Sequence, residues 1–340
     1  MSGTVTMAEV AKAAGVSVMT VSYTFGQPDR VSEITRRKVH AAAESLGYTG
    51  PHRGAQSLRR GVTNNLGVVL TERLTYAFED PQARRYLSGI ADACLDTDTG
   101  LVLLPNTRIG KDVARIRDAH VDGFVLWPTV ADDPVLGAVV ATGKPVCILG
   151  GPRHPGTEFI GIDDDTAARA VGAVGLVGSS RPIVLSLPMD HYRRAGVGHG
   201  PDPDDATFPV TRHRLAGYRH AIVSAGLSWN DTPVAFVAHN IRGDGADAVR
   251  EVLGQVDAVL AMTDELALGV LDVAGELTLQ VPDDFSLTGW DDSDVASAVG
   301  LTTVSQSLYE QGRAAARFVL GIDSSIDEPT WQLEVRSTTR

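Results

Sequence analysis

Along the first fifty residues, apolar positions recur every three or four residues in three short bursts. Thr6-Met7-Ala8-Glu9 reads as a capping box that opens the first burst, with Val10, Ala11 and Ala14 forming one face over two turns. Gly15 follows where the chain must turn sharply, a position suited to its freedom at positive φ. Ser17 is placed to cap a second helix over 18–25 with Val21 inward. Ser32 is placed to cap a third over 33–46, with Val39, Ala42 and Leu46 on one face and Gly47 ending it. Three short helices with a tight glycine turn between the first two make a helix-turn-helix, the small module that reads duplex DNA.

From Asn65 the period changes. Apolar runs of four to six residues, from Leu66-Gly-Val-Val-Leu70 to Gln332-Leu-Glu-Val335, alternate with amphipathic stretches that start at 81–96 and end at 309–320. Strands alternating with helices predict parallel sheets covered on both faces, with ligands beyond the carboxyl ends of the strands. Between these regions, Thr49-Gly-Pro-His-Arg-Gly-Ala-Gln-Ser-Leu-Arg-Arg-Gly61 reads as a basic linker.

Composition changes this picture in one respect. Over 340 residues the net charge is -12, which by itself argues against a nucleic-acid partner. Residues 1–62, however, carry eight Lys and Arg against four Asp and Glu, a surplus of +4 that leaves -16 on the remainder. A basic head on an acidic body restores the DNA reading. No run approaches the roughly 20 apolar residues of a membrane helix. Met1-Ser2-Gly3-Thr4 does not open a secretory signal. Cys94 and Cys147 both sit in apolar surroundings and predict reduced core thiols in a cytoplasmic setting.

The string Val5-Thr-Met-Ala-Glu-Val-Ala-Lys-Ala-Ala-Gly-Val-Ser-Val-Met-Thr-Val-Ser-Tyr23, followed by Arg30-Val-Ser and Thr35-Arg-Arg-Lys-Val, resembles the head of the lac/gal repressor (LacI/GalR) family. The resemblance extends over residues 4 to 338 and is weakest at Gly178–Arg181 and His191–Asp205, the latter a Gly/Pro/Asp-rich loop. It implies an N-terminal all-α helix-turn-helix domain (1–48), a hinge (49–63) and an α/β two-lobed, periplasmic-binding-protein-like sensor with parallel sheets flanked by helices (64–340). The first lobe would hold about 64–161 and 306–328, the second about 162–305 and 329–340. Crossings between lobes are expected near Gly161–Asp164, Gly289–Asp292 and Ser305–Ser307.

The resemblance also assigns roles. Val18, Met19 and Tyr23 would face base edges in the major groove, and Thr6, Ser17, Thr20, Ser22 and Thr35 would serve phosphates. In the hinge, Leu58 would wedge between base steps of the minor groove, preceded by Ala55 and flanked by Arg53 and Arg59. Gly54 sits where a helix former is expected, which makes this hinge harder to order by about 1 kcal/mol. In the sensor, Arg214-Leu-Ala-Gly-Tyr-Arg-His-Ala matches the helix whose arginine grips a polar effector. Thr263-Asp264-Glu265 matches a strand end where Asp264 caps a helix or faces the ligand. Gly289-Trp-Asp-Asp292 would put Asp291 on ligand hydroxyls, and Phe159-Ile-Gly-Ile-Asp-Asp-Asp165 would put Asp163 or Asp164 near the cleft. Together with Tyr76, Phe78, Trp127 and Trp290 as stacking faces, these residues suit a sugar.

No P-loop, dinucleotide fingerprint, nucleophile elbow or paired metal spacing occurs, so neither catalysis, a cofactor nor a metal is expected. The sequence predicts a DNA-binding transcriptional regulator, a repressor, acting as a homodimer on a near-palindromic operator and controlled by a small molecule, foremost a sugar. The alternatives are a nucleoside or purine sensor, or a solute-binding protein of the same fold.

Overall fold

In the computed structural model, residues 5–48, 62–70, 74–108 and 110–340 are described, except for the side chain of Tyr76. They fall into two compact units that meet between Asn64 and Asn65.

Among its described residues the first unit holds three α-helices: α1 (Met7–Ala14), α2 (Val18–Gly26) and α3 (Glu33–Leu46). Each start is capped as its sequence dictates. The Thr6 amide donates to Glu9 Oε2 at 2.7 Å while the Thr6 hydroxyl accepts from the Glu9 amide, and Ser17 and Ser32 accept from the amides of Thr20 and Thr35. Gly15 and Gly47 close α1 and α3 in the left-handed region, at φ 68° and 69°. Val10, Val21 and Val39, one from each helix, are fully buried at the centre. The third face differs from the sequence expectation. Ala43 and Tyr48 join the core, whereas Leu46 is 38% exposed. The left-handed turn at Gly47 carries Tyr48 back under the helix, against the ring of Phe25 at 5.6 Å, and so displaces Leu46 outward.

The second unit holds two five-stranded sheets. The first is built from β1 (Asn65–Leu70), β2 (Gly100–Pro105), β3 (Gly123–Trp127), β4 (Val146–Leu149) and β5 (Glu158–Ile160), all parallel in the order β2-β1-β3-β4-β5. The second combines β6 (Pro182–Ser186), β7 (Gly196–His199), β8 (Pro233–Phe236), β9 (Ala258–Ala261) and β10 (Ser286–Thr288) in the order β10-β9-β6-β8-β7. Its strands are parallel apart from β7, which runs antiparallel to β8 along the edge. Central strands such as β6 are buried at every position, because helices cover both faces.

Close helix pairs hold these layers together. Against the first sheet, α5 (Pro81–Leu95) packs on α13 (Leu308–Val319). A β-carbon at Gly89 would lie 1.9 Å from the Tyr309 carbonyl oxygen, and one at Gly312 would lie 2.2 Å from that of Tyr86. The second lobe repeats the device. In α9 (Pro209–Ser224), Gly217 abuts the backbone of Asp165 in α8 (Asp164–Gly175), and in α11 (Asp264–Leu277), Gly269 abuts that of Arg242 in α10 (Arg242–Val249).

The chain leaves the first lobe after β5 and enters α8 at Asp164. No crossing occurs at Gly289–Asp292. That turn leads into α12 (Asp294–Ala298), and Ala296 and Leu301 share one core with Phe285 and Leu287. The passage lies at Ser305–Ser307, as expected, between β11 (Thr303–Ser305) and α13, and the chain returns to pair β12 (Gln332–Glu334) antiparallel with β11. The Gly-rich stretch expected as a loop contains β7, and Trp229 Nε1 donates to the Pro201 carbonyl at 3.0 Å. Its Gly-Val-Gly-His sequence carries no apolar run, so nothing in the pattern announced a strand. Cys94 and Cys147 are free and buried, and burial pushes the Cys94 thiol up to about 11.

Candidate functional site

Two surfaces gather the residues that the sequence singled out. On the first unit, the start of α2 brings Ser17, Val18, Met19 and Thr20 together. The Ser17 and Thr20 hydroxyls bond at 2.9 Å, and Val21 anchors the turn in the core. Val18 and Met19 are 47% and 63% exposed. One turn on, Ser22 and Tyr23 are half-buried, and the Arg30 guanidinium lies 5.6 Å from the Tyr23 ring centre. Thr35, also half-buried, bonds to the Ser32 hydroxyl at 2.9 Å, and Thr6 is committed to its capping box. Ile34, 73% exposed in the first turn of α3, is a further apolar group on this unit that the sequence reading passed over. Its signal was available, since it lies off the Val39 face. Arg53, Ala55, Leu58 and Arg59 lie outside the described residues.

In the second unit, a cavity of about 140 Å³ opens between the two sheets at the carboxyl ends of their strands. It has room for roughly ten water-sized spheres, the scale of a small metabolite. Trp127, Leu149, Phe208 and Val210 give it apolar walls, and Asp164, Arg214 and Asp291 are among its charged groups.

Arg214 is fixed on every side. It is 5% exposed; its Nε donates to Asp164 Oδ1 at 2.8 Å and its Nη1 to the Met262 carbonyl at 2.5 Å. The guanidinium carbon sits 3.9 Å from the ring centre of Trp290, which is fully buried behind it. A planar cation held by an acid, a carbonyl and an indole face presents its remaining N–H groups in one orientation. Burial pushes the Asp164 carboxyl upward, and Arg214 beside it pulls the other way.

Asp291 occupies a strained backbone position, φ 107°, and is buried on the cavity wall. Burial raises its carboxyl well above the usual range, with Arg214 opposing. A chain of amides reaches it from the first lobe: Gln311 Nε2 donates to Gln306 Oε1 at 3.1 Å, and Gln306 Nε2 donates to Asp291 Oδ1 at 2.8 Å. A second chain crosses the cleft. The Thr263 hydroxyl donates to Asn240 Oδ1 at 2.5 Å, and Asn240 Nδ2 donates to Asp80 Oδ2 at 2.9 Å.

Of the remaining expected residues, Asp163, Asp264, Phe78 and Trp290 stand off the cavity lining. Asp163 caps α8, accepting from the Thr166 amide at 3.0 Å and its hydroxyl at 2.6 Å. Asp264 accepts from the Ser293 amide and the Thr303 hydroxyl, at 2.7 and 2.8 Å, and ties α11 to the turn after β10. A β-carbon on Gly289 would lie 2.5 Å from Asp264 Oδ1, which accounts for the glycine in Gly289-Trp-Asp-Asp292. Phe78 is 60% exposed, on α4 (Leu74–Glu79), and the Tyr76 side chain is outside the description. Trp290 backs Arg214. Conversely, Asp80, Gln82, Arg193, Asn240, Gln306 and Gln311 line the cavity without having been singled out. Asp80, placed before Pro81 as a helix cap, and Gln306, inside the crossing expected at Ser305–Ser307, left a sequence signal. Among the described residues, no cluster of His, Cys, Asp or Glu is arranged to hold a metal, and no helix is long and apolar enough to cross a membrane.

Comparison with known proteins places these features in context. Residues 6–50 match the family described as bacterial regulatory proteins, lacI family, and residues 190–338 match the periplasmic binding protein-like domain. The chain is 33% identical over 338 residues to the HTH-type transcriptional regulator IpsA of Corynebacterium glutamicum, covering 97% of this chain and 94% of that protein. It is similar to the crystal structure of a lacI-family transcriptional regulator from Corynebacterium glutamicum, at 30% identity and a TM-score of 0.74 over 100% of both chains. It is also similar to the regulator CelR in complex with cellobiose, at 26% identity and a TM-score of 0.66 over 98% of this chain and 99% of that one.

Proposed function

The chain belongs to the lacI family of bacterial regulatory proteins, and from that premise we propose that it is a sequence-specific, DNA-binding transcriptional regulator whose hold on its operator is set by a sugar bound between the two lobes. It works by binding, not by catalysis. The observation that carries the sugar reading is the immobilised Arg214. Its guanidinium, held between Asp164 and Trp290, shares one cavity with the buried carboxyl of Asp291 and with the aromatic residue Trp127. Donor forks, acceptors and a flat apolar face together suit a ring that is polar at its rim and apolar on its faces. That CelR binds cellobiose supports the same reading.

On the DNA side, Val18, Met19 and Tyr23 reach base edges. Apolar Val18 and Met19 suit thymine methyl groups, while Ser17, Thr20, Ser22, Thr35 and Thr6 meet phosphates. Leu58, with Ala55, wedges the minor groove between Arg53 and Arg59. The protein acts in the cytoplasm as a homodimer, whose two-fold symmetry demands a near-palindromic site. Sugar binds one arrangement of the lobes better than the other, and this difference shifts operator affinity.

Electrophoretic mobility of the full chain on the duplex upstream of its own gene tests the DNA half. The duplex should shift at a lower protein concentration than a scrambled one, with a steep loss as salt rises. Equal retardation of both would refute sequence-specific binding.

A further inference from the structure

The cavity between the sheets has a limited size, and contacts between the lobes set the limit. Its volume of about 140 Å³ is close to the roughly 150 Å³ of a protein cavity that takes up a single benzene ring. A monosaccharide brings one ring of that width with polar groups at its rim. A disaccharide brings two.

The lobes are joined at three places by residues that line this cavity. At the first, Asn240 Nδ2 donates to Asp80 Oδ2 at 2.9 Å, with both side chains buried. At the second, Gln306 Nε2 donates to Asp291 Oδ1 at 2.8 Å, and Gln306 is held in turn by Gln311 of the first-lobe helix α13. The third is apolar. A β-carbon at Gly150, which follows β4, would lie 2.8 Å from Val210 Cγ2 in the first turn of α9, and one at Gly151 would lie 3.3 Å from Pro209 Cβ. First-lobe backbone and second-lobe side chains thus meet there with no space between them. A second sugar ring would have to part the lobes at one or more of these places. That costs a hydrogen bond at the first two, and close-packed contact at the third.

Building on the sugar reading above, we infer that the cleft is a one-ring site: it takes a monosaccharide and excludes the disaccharide that carries the same ring, with Val210 against Gly150 setting part of the limit. A pocket of fixed shape discriminates on size even by single methylene groups, and a whole ring is a far larger excess.

The test is a panel measured by thermal shift and titration calorimetry on the full chain. Glucose is compared with cellobiose and maltose, galactose with lactose, and xylose with xylobiose; ribose and mannose complete the single rings. The expected result is that a monosaccharide raises the melting temperature, and that the disaccharide containing its ring binds at least about tenfold more weakly. Val210→Ala removes two methyl groups where α9 meets Gly150 and leaves both hydrogen-bonded links in place. In that variant the ratio of the two dissociation constants should shrink by threefold or more, and an unchanged ratio would overturn the part assigned to Val210. A disaccharide that binds as tightly as its component ring, or more tightly, would overturn the one-ring inference and leave the sugar reading intact. Absence of binding by every sugar in the panel would overturn the sugar reading itself, and the inference with it.

Discussion

Asp80 and Asn240 meet across the cleft: Asp80 Oδ2 accepts from Asn240 Nδ2 at 2.9 Å, while Asp80 Oδ1 accepts from the amides of Gln82 and Ala83 at 2.7 and 3.0 Å. One carboxylate therefore starts a first-lobe helix and holds the second lobe. Asp80→Ala should lower the unfolding free energy by about 1–2 kcal/mol, the cost of a lost helix cap. Asn240→Ala leaves the cap in place. A double-mutant cycle between the two, read by urea denaturation, should show a coupling of about 0.5–1.5 kcal/mol. Strict additivity would mean that the lobes are not joined through this pair.

Gly89 makes a sharper structural prediction. Its missing β-carbon leaves room for the Tyr309 carbonyl, which would otherwise lie at 1.9 Å, so Gly89→Ala must push α5 off α13. A cost of about 3 kcal/mol or more, or loss of folded protein, is expected. Gly137→Ala, in α7 (Pro134–Val140) with nothing within 4 Å, is the control and should be neutral or stabilising by about 0.5–1 kcal/mol. Similar melting temperatures for the two variants would contradict the packing described.

Burial lifts Asp264 from its ordinary 3.8 to about 6, in spite of the hydrogen bonds it accepts from Ser293 and Thr303. Between those values the folded chain holds more protons than the unfolded one. Stability from this group is therefore present at low pH and is lost as pH rises through that window, by at most about 1.4 kcal/mol per pH unit. Denaturation of the native chain and of Asp264→Asn at pH 4.5 and 6.5 isolates the slope. The native chain should lose stability relative to the variant on going to the higher pH, and parallel behaviour would remove Asp264 as the source.

Met19 is 63% exposed and contributes nothing to the core around Val21. Met19→Ala should change thermal stability by less than about 0.5 kcal/mol while altering which duplexes are preferred in a selection from random DNA. An unchanged base preference would take Met19 off the reading surface.

Much of this was legible in the sequence because local rules and packing agree. The three capped helices of the head follow from Thr6, Ser17 and Ser32, and the sheets from uninterrupted apolar runs such as Pro182–Ser186. What escaped depends on direction and distance. Asp163-Asp164-Asp165 offers three carboxylates in succession, and the structure sends the first to cap a helix, the second to Arg214 and the third to Arg169 at 2.6 Å. Sequence spacing does not rank them. Gln306 and Gln311 belong to no motif, and their role comes from a passage between lobes that brings them under Asp291. The edge strand at Gly196–His199 lacks any apolar alternation and is defined by its partner β8 alone.

Reciprocity between the two ligands tests the account most directly. With a sugar that stabilises the full chain, and the duplex it selects, fluorescence anisotropy gives the operator Kd with and without saturating sugar, and calorimetry gives the sugar Kd with and without operator. The prediction is that both constants move, and by the same factor, in the range of about 5- to 150-fold. An operator affinity indifferent to the bound sugar would contradict the claim that the occupied cleft governs the DNA-reading head.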